Sequence, residues 1–538
     1  MSAPEAAAEA PPNPSSERRG LLRAASVMTV MTLLSRVLGL VREQIRALYL
    51  GTGMASDAFG LAATIPNLFR RLFAEGVMTA AFVPVFTEQQ RTSTAEATRA
   101  FLSRFFTLLT CVVTAFTVVA ILVTPWLIDT FFAESFQGIP GKLALTVALT
   151  ELMWPYLILV SLAALIQGVL NTHRIFGPSA FAPVLMNLAI ILGAVILRDT
   201  FADPSYALVV GFLAGGVLQL VFQIPFLLRA TPYRFALDFK IFDPSVLRVL
   251  RIMGPGILSA GIYQLNVFIA QLIAASLDEG SVASLQYSLR LQELVLGVFV
   301  VSVTQVILPN LSVHTANGDR DAVAATFTYA LRLIAFVTLP CAALLMLAAP
   351  ELVAVLFEFG AFDAESTRRT AEALVCHALG LYFIGQGRVA TQVFFAYKDM
   401  RTPTRVSLLD AALNVALCLA FAGPLGHAGI TLAASLAALG HGLLLQLLLR
   451  RTHGVGLTAG EWPRLLRVGL ATGLMAGAVH GLGLLWSVAT ASRGERLLWL
   501  GSAGALALVV YLVAASRLGV NELGPLTRGL RRRLGPKV

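Results

Sequence analysis

Long apolar runs recur along nearly the whole chain, separated by short stretches that carry most of the charged residues. Each run is about 20 residues long, the length that an α-helix needs to cross the hydrocarbon core of a bilayer. The runs lack the alternation of apolar and polar residues that transmembrane β-strands show, so the pattern predicts helices. The expected fold class is therefore all-α, in a polytopic membrane protein. We count fourteen spans, at about residues 25–50, 58–88, 101–131, 143–170, 178–198, 205–228, 247–276, 281–313, 325–357, 370–397, 404–422, 426–449, 464–486 and 496–516.

The amino-acid composition is that of a membrane protein. Of the 538 residues, 57% are apolar and only 13% are charged, and the mean hydropathy is +0.78. A soluble protein carries about twice that share of charge. The net charge of +10 does not indicate a nucleic-acid partner, because the basic residues follow loop positions and form no aromatic-lined patch. The four cysteines lie far apart without CxxC spacing, so they predict neither a disulfide nor a metal site.

The basic residues are divided unequally between the two sets of loops. With the N-terminus in the cytoplasm, 26 of the 40 Lys and Arg residues fall on the cytoplasmic side, six on the opposite side and eight within spans. Cytoplasmic loops carry the excess of positive charge, so both termini are expected to be cytoplasmic. The composition of residues 1–20 predicts a disordered tail, and residues 519–538 form a basic tail.

The first twelve spans contain a faint internal repeat with an offset of 225 residues. Six spans separate equivalent positions, so the two halves run in the same direction through the membrane. We therefore predict two six-helix lobes facing a central cleft, an N-lobe over residues 21–230 and a C-lobe over 231–450. Spans thirteen and fourteen, in residues 451–518, fall outside the repeat. The matching pairs are Pro84 and Pro309, Pro125 and Pro350, Gln167 and Gln392, and Pro178 and Pro403.

Arginines inside the spans are the main departure from the apolar pattern. An arginine at mid-bilayer costs at least about 2.5 to 3.5 kcal/mol on insertion scales, and its guanidinium cannot lose its charge. On a helical projection of span one, the polar residues share an arc of about 120°, and leucines and valines fill the opposite side. This pattern predicts a helix that lines a water-filled cavity. The charged residues of the arc are Arg36, Arg42, Glu43 and Arg46.

Spans two and eight carry further arginines. Span two contains Arg70 and Arg71, with Glu75 one turn later, and span eight contains Arg290. The planar fork of a guanidinium binds phosphate oxygens bidentately, so arginines from separate helices suit a phosphate or pyrophosphate. The predicted substrate-binding residues are Arg36, Arg42, Arg70 and Arg290.

A structural alternative is that these arginines only pair with Glu43, Glu75 and Glu293 and hold helices together. Spans one, two and eight contain six arginines against those three carboxylates, so pairing would leave three positive charges for a ligand. We therefore favour anion binding and interpret Glu43, Glu75 and Arg71 as gate or structural charges. Arg46 and Arg71 are the arginines expected to be structural or to reach toward an interface.

Two carboxylates have other candidate roles. Asp57 begins span two on the predicted outer side, where it either caps the helix or pairs with a cation when the outer mouth closes. Asp410 and Asn414 lie one turn apart in span eleven, and Thr431 opens span twelve. These oxygens could bind Na⁺, Asp410 could carry a proton, or Asp410 could be a satisfied buried group with Arg388 as its partner. The histidines His173, His377 and His441 show no ligand-like spacing to an acidic residue, and we predict no metal site.

Motifs of membrane enzymes are missing from the sequence. A transferase needs carboxylates or histidines clustered at one membrane face, and we find no HxxxD pattern, no P-loop and no GxSxG. The DxD match at Asp319 and Asp321 lies in a predicted loop with no histidine or further acidic residue beside it in the sequence. We therefore expect no enzyme activity and no cofactor.

Four motifs in the first two spans form a distinctive set. They are SRVLG at 35–39, GMASDAF at 53–59, PNLFRRLFAEG at 66–76 and AFVP at 81–84. Shorter matches continue with LNT at 170–172, AFAP at 180–183, MGP at 253–255, ILP at 307–309 and GPL at 423–425. Through these motifs the chain closely resembles the MurJ (MviN) family, bacterial lipid II flippases of the multidrug/oligosaccharidyl-lipid/polysaccharide exporter superfamily.

The resemblance implies fourteen helices, two lobes around a cationic cavity, and a groove in the last two helices for a polyprenyl tail. Glu43 stands where family members often have Asp, which leaves the charge intact. Asp410 and Asn414 lie near a sodium site described for some members, with residue types that match only in part. The positions that match functionally required charges of the family are Arg36, Arg42, Asp57, Arg70 and Arg290.

The resemblance also implies the activity. We expect the chain to flip lipid II, the undecaprenyl-pyrophosphate-linked peptidoglycan precursor, across the bacterial inner membrane by alternating access. A flippase for another polyprenyl-linked oligosaccharide, of O-antigen type, is the alternative transporter, and a scaffold for cell-wall synthases is an alternative of a different class. Na⁺ or the membrane potential would drive the transport. The expected partners are lipid II, membrane lipids and cell-wall synthesis proteins, with the chain as a monomer.

Overall fold

A computed structural model describes residues 14–73, 77–136, 139–457, 459–486, 492–520 and 522. Throughout this part of the chain the secondary structure is helical, with short turns between helices and no β-strand. The prediction of an all-α membrane protein is therefore confirmed.

The helices of the described residues are numbered in chain order. The first, α1, begins at Pro14, inside the tail predicted for residues 1–20, whose residues 1–13 lie outside the described part. A π-helical turn, Leu296–Val300, joins α10 to α11, and a 3₁₀ turn, Ala459–Glu461, precedes α17. The bounds are α1 Pro14–Leu50, α2 Met54–Phe73, α3 Val77–Thr92, α4 Ala95–Phe136, α5 Lys142–Met153, α6 Pro155–Thr172, α7 Gly177–Leu197, α8 Pro204–Ala230, α9 Pro244–Ala275, α10 Ser281–Val295, α11 Val301–Ala316, α12 Arg320–Leu347, α13 Ala349–Phe357, α14 Ala364–Leu379, α15 Leu381–Ala396, α16 Arg401–His453, α17 Trp462–Leu485 and α18 Arg493–Arg517.

Twelve of the fourteen predicted spans coincide with one helix or with a consecutive pair, and spans eleven and twelve are the two parts of α16. Within the described residues, nine helical stretches are long and apolar enough to cross a membrane, and they cover ten of the fourteen predicted spans. The other four predicted spans are the helices α1, α2–α3, α9 and α14–α15. The charged residues of α1 and α2 include the arginines singled out above, which lower the hydropathy of these helices.

The long helix α16 contains a sharp break. Gly426 has φ 58° and ψ −140°, far from helical values, and Pro424 lies two residues before it. Proline cannot continue the hydrogen-bond ladder, and glycine can adopt a positive φ without strain. The break divides α16 where the sequence predicted the boundary between spans eleven and twelve.

By internal packing the chain divides into two units, and both contain several separate segments. The first unit comprises the chain up to Arg42, Phe69–Leu122 and Leu152–Ile257. The second comprises Glu43–Leu68, Val123–Glu151 and Leu258 onward. The division cuts through α1, α2, α4, α5 and α9, so it does not follow the predicted lobe boundaries, and those lobes stay a prediction.

Aromatic stacking and close helix contact hold the first unit together. Phe82 stacks on Phe105 with ring centroids 5.0 Å apart and on Phe86 at 5.2 Å. Helices α7 and α8 meet at Gly193 and Gly211, where a Cβ added to Gly193 would lie 2.7 Å from the Cα of Gly211. Small residues let helix backbones approach this closely inside a membrane.

In the second unit, α17 and α18 pack on α12. The Tyr511 hydroxyl donates a 2.6 Å hydrogen bond to the Phe336 carbonyl. The Arg332 guanidinium lies 2.7 Å from the Glu461 carboxylate and 3.0 Å from that of Glu522, near the two ends of this helix pair. Arg332, one of the eight basic residues within spans, is therefore a structural charge.

Substitution of Gly211 by Ala should lower the thermal unfolding midpoint in detergent. The new Cβ would lie 2.9 Å from the Ala189 carbonyl oxygen and from the Ile190 Cα, and backbone cannot move aside as a side chain can. Overpacking of this kind costs about 1–3 kcal/mol. Gly473→Ala in α17 is the matched control, because a Cβ there meets nothing within 4 Å and should leave the midpoint equal or higher. Equal midpoints for the two variants would contradict the close packing of α7 on α8.

Candidate functional site

Arg42 of α1 is oriented by a buried amide on α7. Its Nη1 donates to the Asn187 Oδ1 over 3.1 Å, and the Asn187 Nδ2 donates to the Ser35 carbonyl over 3.0 Å. Asn187 therefore bonds two positions of the polar arc of α1. Sequence analysis missed Asn187, although a lone amide in the apolar run of α7 was a signal for it.

The opposite side of α1 is apolar and exposed. Leu33, Leu34 and Val37 have exposed side chains, as expected for a face that meets lipid or protein. Arg36 is half-buried. Thr32 of the polar arc is also exposed, so a polar face that meets water stays a prediction.

The charges of α2 are only partly described. Arg70 and Arg71 are half-buried near the end of the helix, and Pro66 lies within it. Arg70 takes part in contacts and is not a free cation. Glu75 lies outside the described residues, so its pairing with an arginine stays a prediction.

Glu43 is a buried carboxylate shared by two arginines of the second unit. Its oxygens lie 3.6 Å from Arg46 Nη1 and 3.6 Å from Arg290 Nη2. Arg290 Nη1 also donates to Glu293 over 3.0 Å. The structural alternative therefore applies to Arg290 in part, because two carboxylates contact it. Its side chain is still 38% exposed, so an anion can reach the guanidinium.

Arg46 has a structural environment, as the sequence interpretation expected. It is buried and donates to Gln286 Oε1 over 2.8 Å and to the Ser56 carbonyl over 2.9 Å. Its guanidinium also lies over the rings of Phe59 and Tyr287. These contacts use the positive charge inside the protein.

Asp57 connects three segments of the second unit. The Asp57 carboxylate accepts a 2.8 Å bond from Lys142 Nζ at the start of α5, and both side chains are 1% exposed. It also accepts from the backbone N–H groups of Gly280 and Ala283, each over 2.9 Å, at the start of α10. We call these four residues the Asp57 cluster. Asp57 therefore caps the N-terminus of α10, which is not its own helix, and it forms an ion pair with Lys142.

Lys142 was not recognised as a site residue from the sequence. It was counted only among the six basic residues of the predicted outer side. Its distance from Asp57 in sequence, 85 residues, hides the pair. The available signal was a lone lysine at the start of an apolar span, paired with an acid on the same predicted side.

Hydrogen bonds to backbone carbonyls join further residues beside the Asp57 cluster. The Ala361 N–H donates to the Leu48 carbonyl over 2.9 Å, and the Tyr287 hydroxyl donates to the Gly51 carbonyl over 3.1 Å. Gly51 has φ +56°, and a Cβ on it would lie 2.2 Å from the Ala361 carbonyl oxygen. A side chain is therefore excluded at Gly51 both by conformation and by contact.

Two of the candidate ion-coupling residues bond to other partners. The Asn414 Nδ2 donates to Asn266 Oδ1 over 3.0 Å, whereas the Thr431 hydroxyl donates to the Ala428 carbonyl of its own helix. In the described part of the chain, no three His, Cys, Asp or Glu side chains are arranged to hold a metal ion. Coupling at Asp410, Asn414 and Thr431 stays a prediction.

His441 lies near an acidic residue that its sequence spacing did not reveal. Its Nδ1 lies 3.7 Å from the Asp410 Oδ2, on the helix segment that follows the break at Gly426. The two residues are 31 positions apart, so no local spacing could reveal the contact. Arg388, considered as a partner of Asp410, has an exposed side chain.

Comparison with known proteins identifies the family. The family model described as lipid II flippase MurJ matches residues 46–496, most of the chain. The chain belongs to the MurJ family. It is 33% identical to the probable lipid II flippase MurJ of Vibrio cholerae over 517 residues, covering 93% of this chain and 97% of the relative. It is 34% identical to the lipid II flippase MurJ of Burkholderia cenocepacia over 470 residues, covering 86% and 90%.

Solved structures agree with the MurJ fold. A lipid II flippase MurJ in an inward closed conformation matches with a TM-score of 0.77 and 25% identity, covering 91% of this chain and 98% of that one. A multidrug resistance MATE family transporter of the MOP superfamily, in an inward-facing conformation, matches with a TM-score of 0.66 and 15% identity, covering 79% and 97%. The second likeness shows the fold alone. The resemblance inferred from the motifs is therefore confirmed.

Replacement of Lys142 by Met should expose the region beside the Asp57 cluster. The substitution leaves a buried carboxylate without its ion partner, which costs about 3–5 kcal/mol. The readout is labelling of a cysteine at buried Thr52 by a membrane-impermeant maleimide, with the four native cysteines replaced. We expect faster labelling in Lys142→Met than in the parent.

Arg198→Met is the matched control for this experiment. Arg198 also lies on the predicted outer side, but its ion pair with Asp199 is exposed and worth little. Its labelling rate should equal that of the parent. Unchanged labelling in Lys142→Met would show that the ion pair does not hold the region closed.

Proposed function

We propose that the chain flips lipid II from the inner to the outer leaflet of the bacterial inner membrane by alternating access, with both termini in the cytoplasm. The observation that carries the proposal is the accessible guanidinium of Arg290, oriented by Glu293 in a member of the MurJ family. In the first unit, Asn187 separately orients Arg42. Guanidinium groups held by hydrogen bonds in an apolar protein suit a pyrophosphate.

Hydrogen bonds orient the guanidinium groups of both Arg42 and Arg290. The amide of Asn187 is neutral and fixes the orientation of the Arg42 guanidinium. At Arg290, the 3.6 Å separation of Nη2 from Glu43 is longer than a hydrogen bond. A phosphate oxygen can therefore bind this nitrogen while Glu293 keeps Nη1. On the basis of their motifs, Arg70 is proposed to bind the pyrophosphate with Arg42 and Arg290, and Arg36 to support the site.

The Asp57 cluster is proposed to be the closure that must open when the head-group leaves. It ties the starts of α2, α5 and α10 together in the second unit through one carboxylate. Opening would transfer Asp57 and Lys142 to water, where hydration replaces their mutual bond. The desolvation cost of the buried pair offsets most of its electrostatic attraction, so the pair adds little net stability. The free energy needed to open this closure by hydrating both charges is therefore small.

The polyprenyl tail is proposed to stay in lipid beside α17 and α18. Leu466, Leu470 and Leu474 lie four residues apart on α17 and form an exposed apolar stripe. On α18, Leu508 and Val509 are also exposed. An isoprenoid chain along these surfaces replaces lipid tails without uncovering a polar group.

Transport of this kind requires no covalent chemistry, so we propose that the chain is not an enzyme and needs no cofactor. We also propose that it works as a monomer. Na⁺ or the membrane potential is proposed as the driving force. Association with cell-wall synthesis proteins stays a proposal of the same kind. The O-antigen-type substrate differs in its head-group, and native mass spectrometry of the purified protein separates it from lipid II by the mass of the co-purifying lipid.

Substitution of Arg42 or Arg290 by Ala should abolish or strongly reduce flipping. Loss of one hydrogen bond to a charged group costs about 1.5–3 kcal/mol, which corresponds to about tenfold or more in affinity. Arg42→Lys keeps the charge but loses the bidentate fork, so it should restore activity only in part. The measurements are lipid II flipping in proteoliposomes and complementation of cells depleted of their own flippase.

Arg451→Ala is the control for these variants. Arg451 is exposed near the end of α16, and its loss should leave growth and flipping unchanged. Full growth and full flipping with Arg42→Ala and Arg290→Ala combined would contradict the proposal. Full growth without any flipping activity would favour the scaffold.

The membrane potential should accelerate flipping. A cationic interior gives the empty carrier a voltage-dependent energy of about 2.3 kcal/mol per charge per 100 mV, so a negative-inside potential favours the inward-facing state. Flipping in proteoliposomes should slow when the potential is collapsed. Equal rates with and without potential would exclude this mechanism.

If an ion also binds at Asp410, Asp410→Asn should remove any response of the flipping rate to a Na⁺ or proton gradient.

A further inference from the structure

The segment between α8 and α9 has an inverted distribution of polar and apolar side chains. Residues 232–243 form no helix. On the inward side, Phe235 stacks on Phe106 with centroids 4.8 Å apart, and Tyr233 packs edge-on against Phe86 at 5.6 Å. Both contacts lie within the first unit and fix the beginning of the segment against α3 and α4.

Two carboxylates of the same segment also point inward. Arg104 of α4 binds the Asp238 carboxylate through Nε over 2.9 Å and the Asp243 carboxylate through Nη1 over 2.6 Å. The Asp238 N–H donates to the Thr107 hydroxyl over 2.9 Å. The backbone N–H of Lys240, together with the Arg104 guanidinium, holds the pKa of Asp238 below its ordinary value, so the ion pair persists at physiological pH.

Three large apolar side chains point outward from this fixed segment. Leu237 is 66% exposed, Phe239 69% and Phe242 81%. In a segment that faces water, burial of apolar area would favour these side chains inside and the aspartates outside. The segment shows the reverse arrangement, and the five contacts above hold it in place. An apolar medium against the outward face would remove this apolar area from water.

Basic residues flank the outward face in the sequence. Lys240 lies between Phe239 and Phe242 in sequence and is exposed. Arg229 and Arg234 precede the face, and Arg251 follows it, with Arg234 bonded to carbonyls at the end of α8. Exposed aromatic and aliphatic groups next to Lys and Arg are the composition of segments that lie in the interface of an anionic membrane.

We propose that residues 237–242 insert into the interfacial layer of the leaflet that adjoins the basic loops, with negatively charged headgroups around Lys240 and Arg251. Leu237, Phe239 and Phe242 enter the acyl boundary, and the Arg104 bonds hold the backbone at the level of the headgroups. The segment thereby anchors the start of α9 to the membrane surface. This inference does not depend on the substrate, and its test uses no flipping assay.

The test places a nitroxide on a cysteine substituted for Phe239, in the full chain with the four native cysteines replaced. The protein is reconstituted in nanodiscs of phosphatidylcholine with phosphatidylglycerol. Oxygen concentrates in hydrocarbon and a nickel chelate stays in water, so the ratio of their effects on spin relaxation reports immersion. We expect a ratio several times higher at position 239 than at Thr94, an exposed control residue between α3 and α4.

The outcomes decide between three environments. A ratio at position 239 equal to that at position 94 would place the face in water and overturn the proposal. Protection from both reagents would place the face against a protein surface, from a partner or a second copy, and would also overturn the proposal.

The role of the negative headgroups has its own test. In nanodiscs of phosphatidylcholine alone, the ratio at position 239 should be lower than in nanodiscs that contain phosphatidylglycerol. The double variant Lys240→Gln, Arg251→Gln should show that lower ratio in both kinds of nanodisc. An unchanged ratio in these variants and lipids would refute the role of the negative headgroups.

Discussion

Burial of charge in an apolar interior is the constraint on which the rest of the structure depends. The Asp57 carboxylate is almost fully buried and is tolerated because Lys142 and two backbone N–H groups of α10 bind it. The same bonds join segments that are far apart in the chain. Neutralisation of the charge and closure of this region are therefore one interaction, and neither can be lost without the other.

Helix α1 shows how neighbouring charges in one span serve different purposes. Arg42 bonds to Asn187 within the first unit, whereas Glu43 contacts Arg46 and Arg290 within the second. Consecutive side chains on a helix point about 100° apart, so the two charges cannot share a partner easily. Arg46 is used inside the protein, and Arg290 is contacted by acids but remains accessible. Helix position alone does not separate a binding arginine from a structural one.

The fold was largely predictable because the bilayer permits few solutions. Apolar runs, the break before span twelve and the MurJ motifs were all visible as local patterns. Contacts between distant residues were not: Lys142 is 85 residues from Asp57, and His441 is 31 residues from Asp410. The contact of Asn187 with Arg42 was not predicted because the two residues lie 145 positions apart in the sequence. The convergence of Arg36, Arg42, Arg70 and Arg290 on one ligand stays a prediction, argued from motifs.

The contact at Gly51 has a thermodynamic consequence for any cycle of opening and closing. Here bare main chain of the turn after α1 meets bare main chain near Ala361, and Gly360 approaches the Leu48 carbonyl in the same way. The two glycines have no side chain to order at this contact, whereas ordering a long side chain costs up to about 2 kcal/mol of entropy. Opening and closing at Gly51 and Gly360 therefore changes the entropy of the main chain and not that of the glycines' own side chains.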